Sequence, residues 1–280
     1  MTSETQDTIA ITRSYYDSAD ADNFYFHVWG GEDIHIGVYE GGEADIAAAS
    51  RRSIELMASR LPHLCESSRV LDLGAGYGGA ARYLARTAGC HVTALNISAT
   101  ENARTFAMCE AAGLSLRITV TEGSFEDIPA PAGSFDVVWS QDALLHSGRK
   151  ERIFREVVRV LKPGGDFIFT DPMESGTGSS EDLKPVLDRI HLSSLGSFRG
   201  YESVARKAGL ETAGLVDLTP HLIRHYAQVR DELQAKRTAL SGLISAGYIE
   251  RMLTGLDHWV SAGERGALAW GILHFRKPLY

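Results

Sequence analysis

Val70-Leu71-Asp72-Leu73-Gly74-Ala75-Gly76-Tyr77-Gly78-Gly79 decides the fold of this chain. An apolar, β-favouring run carries one acid and then four glycines in six positions, leading into a helical pattern from Ala80 to Thr87. Glycines at a strand-to-helix turn let the backbone approach a ligand closely, and the helix start turns free N–H groups toward it. A GxGxxG spacing would suit the pyrophosphate of a dinucleotide. Here the spacing is GxGxGG, and Asp72 stands two residues before the first glycine. A carboxylate there repels a pyrophosphate and engages an ammonium group instead.

Outward from this turn, short apolar runs alternate with amphipathic stretches. His91 to Leu95 reads as a second strand, Leu116 to Val120 as a third, Phe135 to Ser140 as a fourth and Asp166 to Thr170 as a fifth. Ser98 with Glu101 forms a capping box for a helix that Gly113 closes. Arg149 to Leu161 puts Ile153, Phe154, Val157 and Leu161 on one helix face, stopped by Lys162-Pro163-Gly164-Gly165. Glu211 to Thr219 and Ala267 to Phe275 supply two more strands around a helical region at 221–262, and residues 44–61 form a helix before Pro62. This order predicts an α/β fold with a doubly wound, Rossmann-like sheet and ligands at the carboxyl ends of its strands. Residues 171–200, with Gly176-Thr177-Gly178-Ser179-Ser180, exceed a simple connection and are expected to be a cap insertion. Residues 1–43, dense in aromatics from Asn23 to Trp29, are expected to form a lid in front of a domain at 44–280.

Composition narrows the function. With 44% hydrophobic residues over 280 positions, a sizeable core is available. A net charge of −8 opposes a polyanion-binding surface, so no nucleic-acid partner is expected. Cys65, Cys90 and Cys109 show no CxxC spacing, which suggests neither zinc nor disulfides and fits a reducing cytoplasm. The first residues lack the features of a signal peptide, and no apolar run reaches membrane-spanning length. A cytoplasmic chain without a membrane partner is expected, with monomer and homo-oligomer both open. His221 and His225 share i, i+4 spacing, but no glutamate follows the first and no third ligand is evident, so no metal site is expected.

Asp-x-Gly-x-Gly after an apolar strand resembles the first motif of class I S-adenosylmethionine-dependent methyltransferases. Four further stretches sharpen the resemblance: Asp-Ala-Asp-Asn-Phe-Tyr-Phe-His at 20–27, Trp-Gly-Gly-Glu-Asp-Ile-His-Ile-Gly at 29–37, Trp-Ser-Gln-Asp-Ala-Leu-Leu-His-Ser at 139–147 and Thr-Asp-Pro-Met at 170–173. Over residues 13–175 the chain looks like the sarcosine/dimethylglycine N-methyltransferases that make glycine betaine. The resemblance implies a seven-stranded methyltransferase sheet with its last strand antiparallel, S-adenosyl-L-methionine as cofactor, and a small amine as acceptor. Relatives with similar motifs methylate phosphoethanolamine or natural-product hydroxyls and carbons, which stay open as alternatives. An NAD-dependent oxidoreductase would want an acid near position 96 and a Tyr-x-x-x-Lys constellation, and a non-catalytic cofactor-binding protein would lack acceptor groups.

On this resemblance Asp72, Gly74, Ala75 and Gly76 receive the cofactor's amino-acid head. Asn96, followed by Ile97 and Ser98, stands where many methyltransferases use an acid on the ribose. Ser124 and Phe125 border the adenine, and Gln141 completes the cofactor set. Asp142 and His146, one helical turn apart, are catalytic candidates together with Tyr25. Tyr16, Tyr25 and Trp29, and less centrally Phe26, offer faces to a methylated ammonium, although the same residues read equally as packing. Arg199, then Arg224, is the candidate for an acceptor carboxylate, because a planar guanidinium binds one bidentately. Asp171, ending strand five, is a candidate contact to the amine.

Overall fold

The computed structural model describes residues 13–42, 45–190 and 192–280. The expected boundary at 43/44 lies outside the described residues, as does the start of the chain through residue 12.

Seven strands form one sheet in the order β3-β2-β1-β4-β5-β7-β6. They are β1 (Arg69–Leu73), β2 (His91–Asn96), β3 (Ile118–Glu122), β4 (Phe135–Gln141), β5 (Leu161–Glu174), β6 (Glu211–Asp217) and β7 (Leu268–Arg276). The pairs among β1 to β5 are parallel, and β7 runs antiparallel between β5 and β6. Strand order reverses between β1 and β4, whose carboxyl ends therefore part into a crevice. Helices are α1 (Ala19–Phe24), running on into a π-helical turn Tyr25–Trp29, then α2 (Ile46–Ala58), α3 (Gly79–Thr87), α4 (Ala99–Ala111), α5 (Lys150–Val160), α6 (Ser180–Ile190), α7 (Phe198–Lys207), α8 (Thr219–Lys236) and α9 (Ala246–Glu264).

Period-2 alternation places successive residues on opposite faces of the sheet. Val138, Phe167 and Phe169 pack with Ile153, Phe154 and Val157 of α5 on one side. Val137, Trp139 and Ile168 pack with Ile54, Met57 and Leu84 of α2 and α3 on the other. A third core gathers Phe24, Trp29, Val186, Tyr226, Trp259 and Trp270, covering the end of the sheet where β5 finishes beside Leu268.

Three expectations change. β5 starts at Leu161 and runs through the Lys-Pro-Gly-Gly stop, because Leu161 pairs with Phe135 across a register shift and Lys162 pairs with Asp136 at 2.8 Å. The cap insertion is accordingly shorter than 171–200: its first four residues finish β5, Phe198 opens α7, and α6 is the helix between. The helical region after β6 is two helices, whose ion pairs Arg230–Asp257 (3.0 Å) and Arg237–Glu250 set them antiparallel.

The segment before α2 is tied at three acids. Asp17 accepts from Ser98 Oγ at 2.7 Å and from the Thr100 N–H at 3.2 Å, at the start of α4. Asp22 pairs with Arg104 and accepts from the Tyr77 hydroxyl at 2.8 Å. Asp20 accepts the Ser245 N–H at 2.8 Å, at the start of α9. These ties stretch it across the crevice.

Candidate active site

The glycine turn after β1 exists because Gly74, Gly76 and Gly78 adopt φ of 71°, 53° and 72°, left-handed values that a side chain resists. At Gly74 a Cβ would also lie 2.4 Å from that of Ala143. The turn walls a cavity that includes Asp72, Gly74, Ala75, Gly76 and Gln141. Asp72 is 3% exposed, and its Oδ2 has no partner among the described residues. Burial alone pushes its carboxyl up to about 7. An unpaired acid in such a place is costly, and a ligand's ammonium group would relieve it.

Beside it, Asn96, Ile97, Ser124, Phe125 and Gln141 line a longer cavity, with Glu101. The Ser98 hydroxyl accepts the Glu101 N–H at 3.1 Å, as a capping box requires, but the Glu101 carboxylate turns inward and accepts from Asn96 Nδ2 at 2.6 Å. The acid absent at the end of β2 is thus supplied one helical turn later. Burial pushes Glu101 up to about 7. Ser98 itself is fully buried under Asp17 and does not line the cavity, because its hydroxyl is used as the helix cap.

Across the crevice lies a chamber of about 210 Å³ walled by Tyr16, Tyr25, Trp29, Tyr226 and Trp259, with Arg189 at one side. Tyr16 stacks on Tyr25 at 5.7 Å between centroids, and Tyr226 on Trp259 at 4.7 Å. Tyr16, Ile34, Asp142 and His146 border both this chamber and the cavity lined by Asn96 and Glu101, so the two spaces meet there. Asp142 is the one non-glycine residue with positive φ (51°) among the described residues. Its carboxylate accepts the Ile36 N–H and Trp270 Nε1–H, both at 2.7 Å, which oppose the upward push of burial. His146 lies on a 3₁₀ turn, Leu144–His146, with Nε2 3.0 Å from the Tyr16 oxygen. Burial and the nearby Lys150 hold its imidazole down at about 4, while burial raises the Tyr16 phenol. At neutral pH the imidazole is uncharged and the phenol protonated.

The acceptor-arginine expectation is corrected. Arg199 is exposed on the first turn of α7 and lines neither cavity, because β5 and α6 take up the residues that were to carry it inward. Arg224 donates to the Gly41 carbonyl at 2.8 Å and lies over the Tyr39 ring. Arg189 is the one Lys or Arg in the chamber wall among the described residues; its Nη2 rests 2.8 Å from Met252 Sδ. Asp171 is buried beneath the chamber, accepting from the Leu145 N–H (3.0 Å) and the Tyr201 hydroxyl. Phe26 packs against the Arg104 guanidinium at 4.2 Å instead of lining the chamber. His225 accepts from the Gly37 N–H and His221 from the Tyr39 N–H, both at 3.1 Å, fastening the loop behind Trp29.

The methyltransferase-domain family profile matches residues 71–169. The chain is 51% identical to the sarcosine/dimethylglycine N-methyltransferase of Halorhodospira halochloris, over 96% of each chain. It belongs to the sarcosine/dimethylglycine N-methyltransferase family. It is also 51% identical to the glycine/sarcosine/dimethylglycine N-methyltransferase of Actinopolyspora halophila, of whose length it spans 47%. A methyltransferase crystal structure from Galdieria sulphuraria superposes with a TM-score of 0.89 at 43% identity, covering 95% of this chain and all of that one.

This S-adenosylmethionine-dependent methyltransferase has a cofactor cleft that fits its ligand: the orphaned Asp72 carboxylate suits the amino-acid ammonium, and Glu101 with Asn96 suits vicinal hydroxyls. Sequence reasoning missed Glu101 as a lining residue, since its spacing from Ser98 already had a capping explanation. It also missed Arg189, Tyr226 and Trp259, which sit in amphipathic helices without a motif. Arg189 in the last turn of α6 reads like any cation favoured at a helix end.

Proposed function

We propose that this methyltransferase methylates sarcosine and/or dimethylglycine, toward glycine betaine. The observation that carries this reading is the chamber itself: stacked aromatic faces opposite a single guanidinium that has no ion-pair partner among the described residues. Such a pairing suits a small zwitterion, whose methylated nitrogen meets the rings and whose carboxylate meets Arg189. Phosphoethanolamine, with more negative charge, would call for more than one cation, and a chamber of about 210 Å³ is below the roughly 300–1,000 Å³ usual for larger ligands.

S-adenosylmethionine, when bound, would supply an electrophilic methyl group on its sulfonium, the sulfur keeping the S–C bonding pair. The acceptor nitrogen forms the new N–C bond with its lone pair, so its ammonium proton leaves first. The Tyr16 oxygen takes that proton as its own passes to His146 Nε2, 3.0 Å away. Asp142, fixed by one backbone and one indole donor at the junction of the cavities, favours positive charge on the acceptor. Tyr25 and Trp29 exclude water and orient the nitrogen. Asp72, the glycine turn, Asn96, Ile97, Ser124, Phe125 and Gln141 hold the cofactor. The segment ending near residue 43 serves as a lid, a reading supported by the ties at Asp17, Asp20 and Asp22.

The partner is a small amine; the net charge of −8 supports no nucleic-acid role. The three free cysteines support a reducing, cytoplasmic setting, and no described helix is long and apolar enough to cross a membrane. Release of S-adenosylhomocysteine with sarcosine, dimethylglycine and phosphoethanolamine in parallel tests the acceptor. Turnover with the first two is expected; turnover with phosphoethanolamine alone would overturn it.

A further inference from the structure

Tyr15, Arg189 and Met252 line the methyl-acceptor chamber and also line an open groove on the outer surface, between the start of α1, α6 and α9. No residue of that groove borders the cofactor-side cavity. The wall between chamber and groove is thin and made of side chains. The Tyr15 hydroxyl lies 3.8 Å from Met252 Sδ and 3.0 Å from the Tyr248 hydroxyl, and Arg189 Nη2 lies 2.8 Å from the same sulfur. Met252 is thus held between a phenol and a guanidinium. An unbranched thioether with three rotatable bonds is the side chain best able to swing aside without disturbing a backbone.

Two features of the groove suit a carboxylate. Its acids are already engaged, Asp20 with Ser245 and Glu250 with Arg237. Arg189 and Arg251 have no ion pair among the described residues, and His258 adds a third nitrogenous side chain to the wall. The carboxylate end of a zwitterion therefore finds its partners along the groove at Arg251 and Arg189. The seat of that arginine is built into α9: a Cβ on Gly255 would stand 1.6 Å from its Nη1 and 2.6 Å from its Cδ, so the helix carries no side chain there.

We propose that this groove is the entrance for the acceptor, with Met252 as its gate and Arg189 passing the carboxylate inward. The inference rests on the reading of the chamber as the acceptor site. Acceptor and product then exchange through one mouth while the cofactor exchanges through another. A once-methylated acceptor can stay in the chamber while the cofactor is replaced.

An obstructed entrance slows entry and exit equally and leaves equilibrium affinity alone, whereas a damaged binding site raises the exit rate. Thr254 lies on the exposed groove wall and lines neither cavity. Stopped-flow protein fluorescence, with S-adenosylhomocysteine bound and dimethylglycine as the probe, reads both rates. For Thr254→Phe the association and dissociation rates are expected to fall together about tenfold, with the dissociation constant unchanged within about twofold. Ala19→Leu, on the facing wall, should do the same, and Met252→Ala should raise the entry and exit rates together. If both wall variants bind dimethylglycine at wild-type rates, the entrance is elsewhere. If dimethylglycine gives no signal with the wild-type protein, calorimetry on the same protein decides: no binding overturns the chamber reading and the entrance with it.

Discussion

Asp72 and Glu101 are acids kept out of water without a cation, and both face the cofactor cleft. Each has its carboxyl raised to about 7 by burial, so the free protein holds protons there that cofactor binding must displace. Affinity for S-adenosylmethionine is therefore expected to weaken as pH falls below 7, by at most about tenfold per unit for each proton lost. Asp72→Asn removes the charge-assisted contact, which costs about 1.5–3 kcal/mol of cofactor binding, and flattens the pH dependence. Calorimetric titration between pH 6 and 8 checks both. Tyr16 belongs at this scale as well. Tyr16→Phe removes the hydroxyl that the proposed proton route to His146 requires and is expected to lower kcat by about 10²–10⁴-fold, with cofactor affinity unchanged. Asp72 and the glycines were legible in the sequence because strand, acid and turn stand together. Glu101 was not, since a carboxylate that follows a cap residue carries no sign of which way it turns.

Among the elements, the segment Ala19 to Trp29 divides in a way that aromatic density alone does not reveal. Trp29 is 7% exposed, packed edge-on against Phe24 and Tyr226 with its indole N–H at the His35 carbonyl. Tyr25 is only half-buried, stacked on Tyr16 at the chamber. Trp29→Ala is expected to cost roughly 3–5 kcal/mol of stability. Tyr25→Ala should instead weaken dimethylglycine binding by about 0.5–2 kcal/mol, with a smaller loss of melting temperature. Denaturant melts and acceptor Michaelis constants on the two variants separate the roles. Strands β1, β2 and β4 were legible as short apolar runs because a central parallel strand is buried on both faces. The extension of β5 was hidden by Pro163 and the two glycines beside it, which signal a stop until a partner strand supplies the pairing. Helices α6, α8 and α9 show amphipathic pattern but not destination, so the chamber wall they form could not be read from them.

Across the whole molecule, the buried titratable groups tie stability to the cofactor. Unfolded carboxylates ionise near pH 4, while Asp72 and Glu101 in the folded free protein hold their protons to about 7. Their contribution is fully present below the unfolded values and is lost as pH rises through 7. His35, His146 and His225, held down at about 4, 4 and 3, act oppositely: their contribution is present above the unfolded value near 6.5 and is lost as pH falls toward the folded values. The melting temperature of the free protein is expected to decline from pH 6.5 to 8, and saturating S-adenosylmethionine should flatten that decline by pairing Asp72. Differential scanning calorimetry of free and loaded protein reads the difference. A decline of equal slope in both would show that these acids do not meet the cofactor.

The chamber brings together what no single stretch of sequence displays: rings from either side of α1 and from α8 and α9, a guanidinium from α6, and a hydrogen-bonded Tyr16–His146 pair. Its chemistry is tested most directly by following glycine betaine formed from dimethylglycine by mass spectrometry, for the wild type and Arg189→Ala under saturating S-adenosylmethionine. Betaine is expected from the wild type, and in Arg189→Ala the Michaelis constant for dimethylglycine should rise about ten- to a hundredfold, as for loss of a charged hydrogen bond, with the constant for cofactor unmoved. Absence of betaine from a wild-type protein that methylates a different acceptor, or an Arg189→Ala variant with an unchanged Michaelis constant for dimethylglycine, would contradict the assignment.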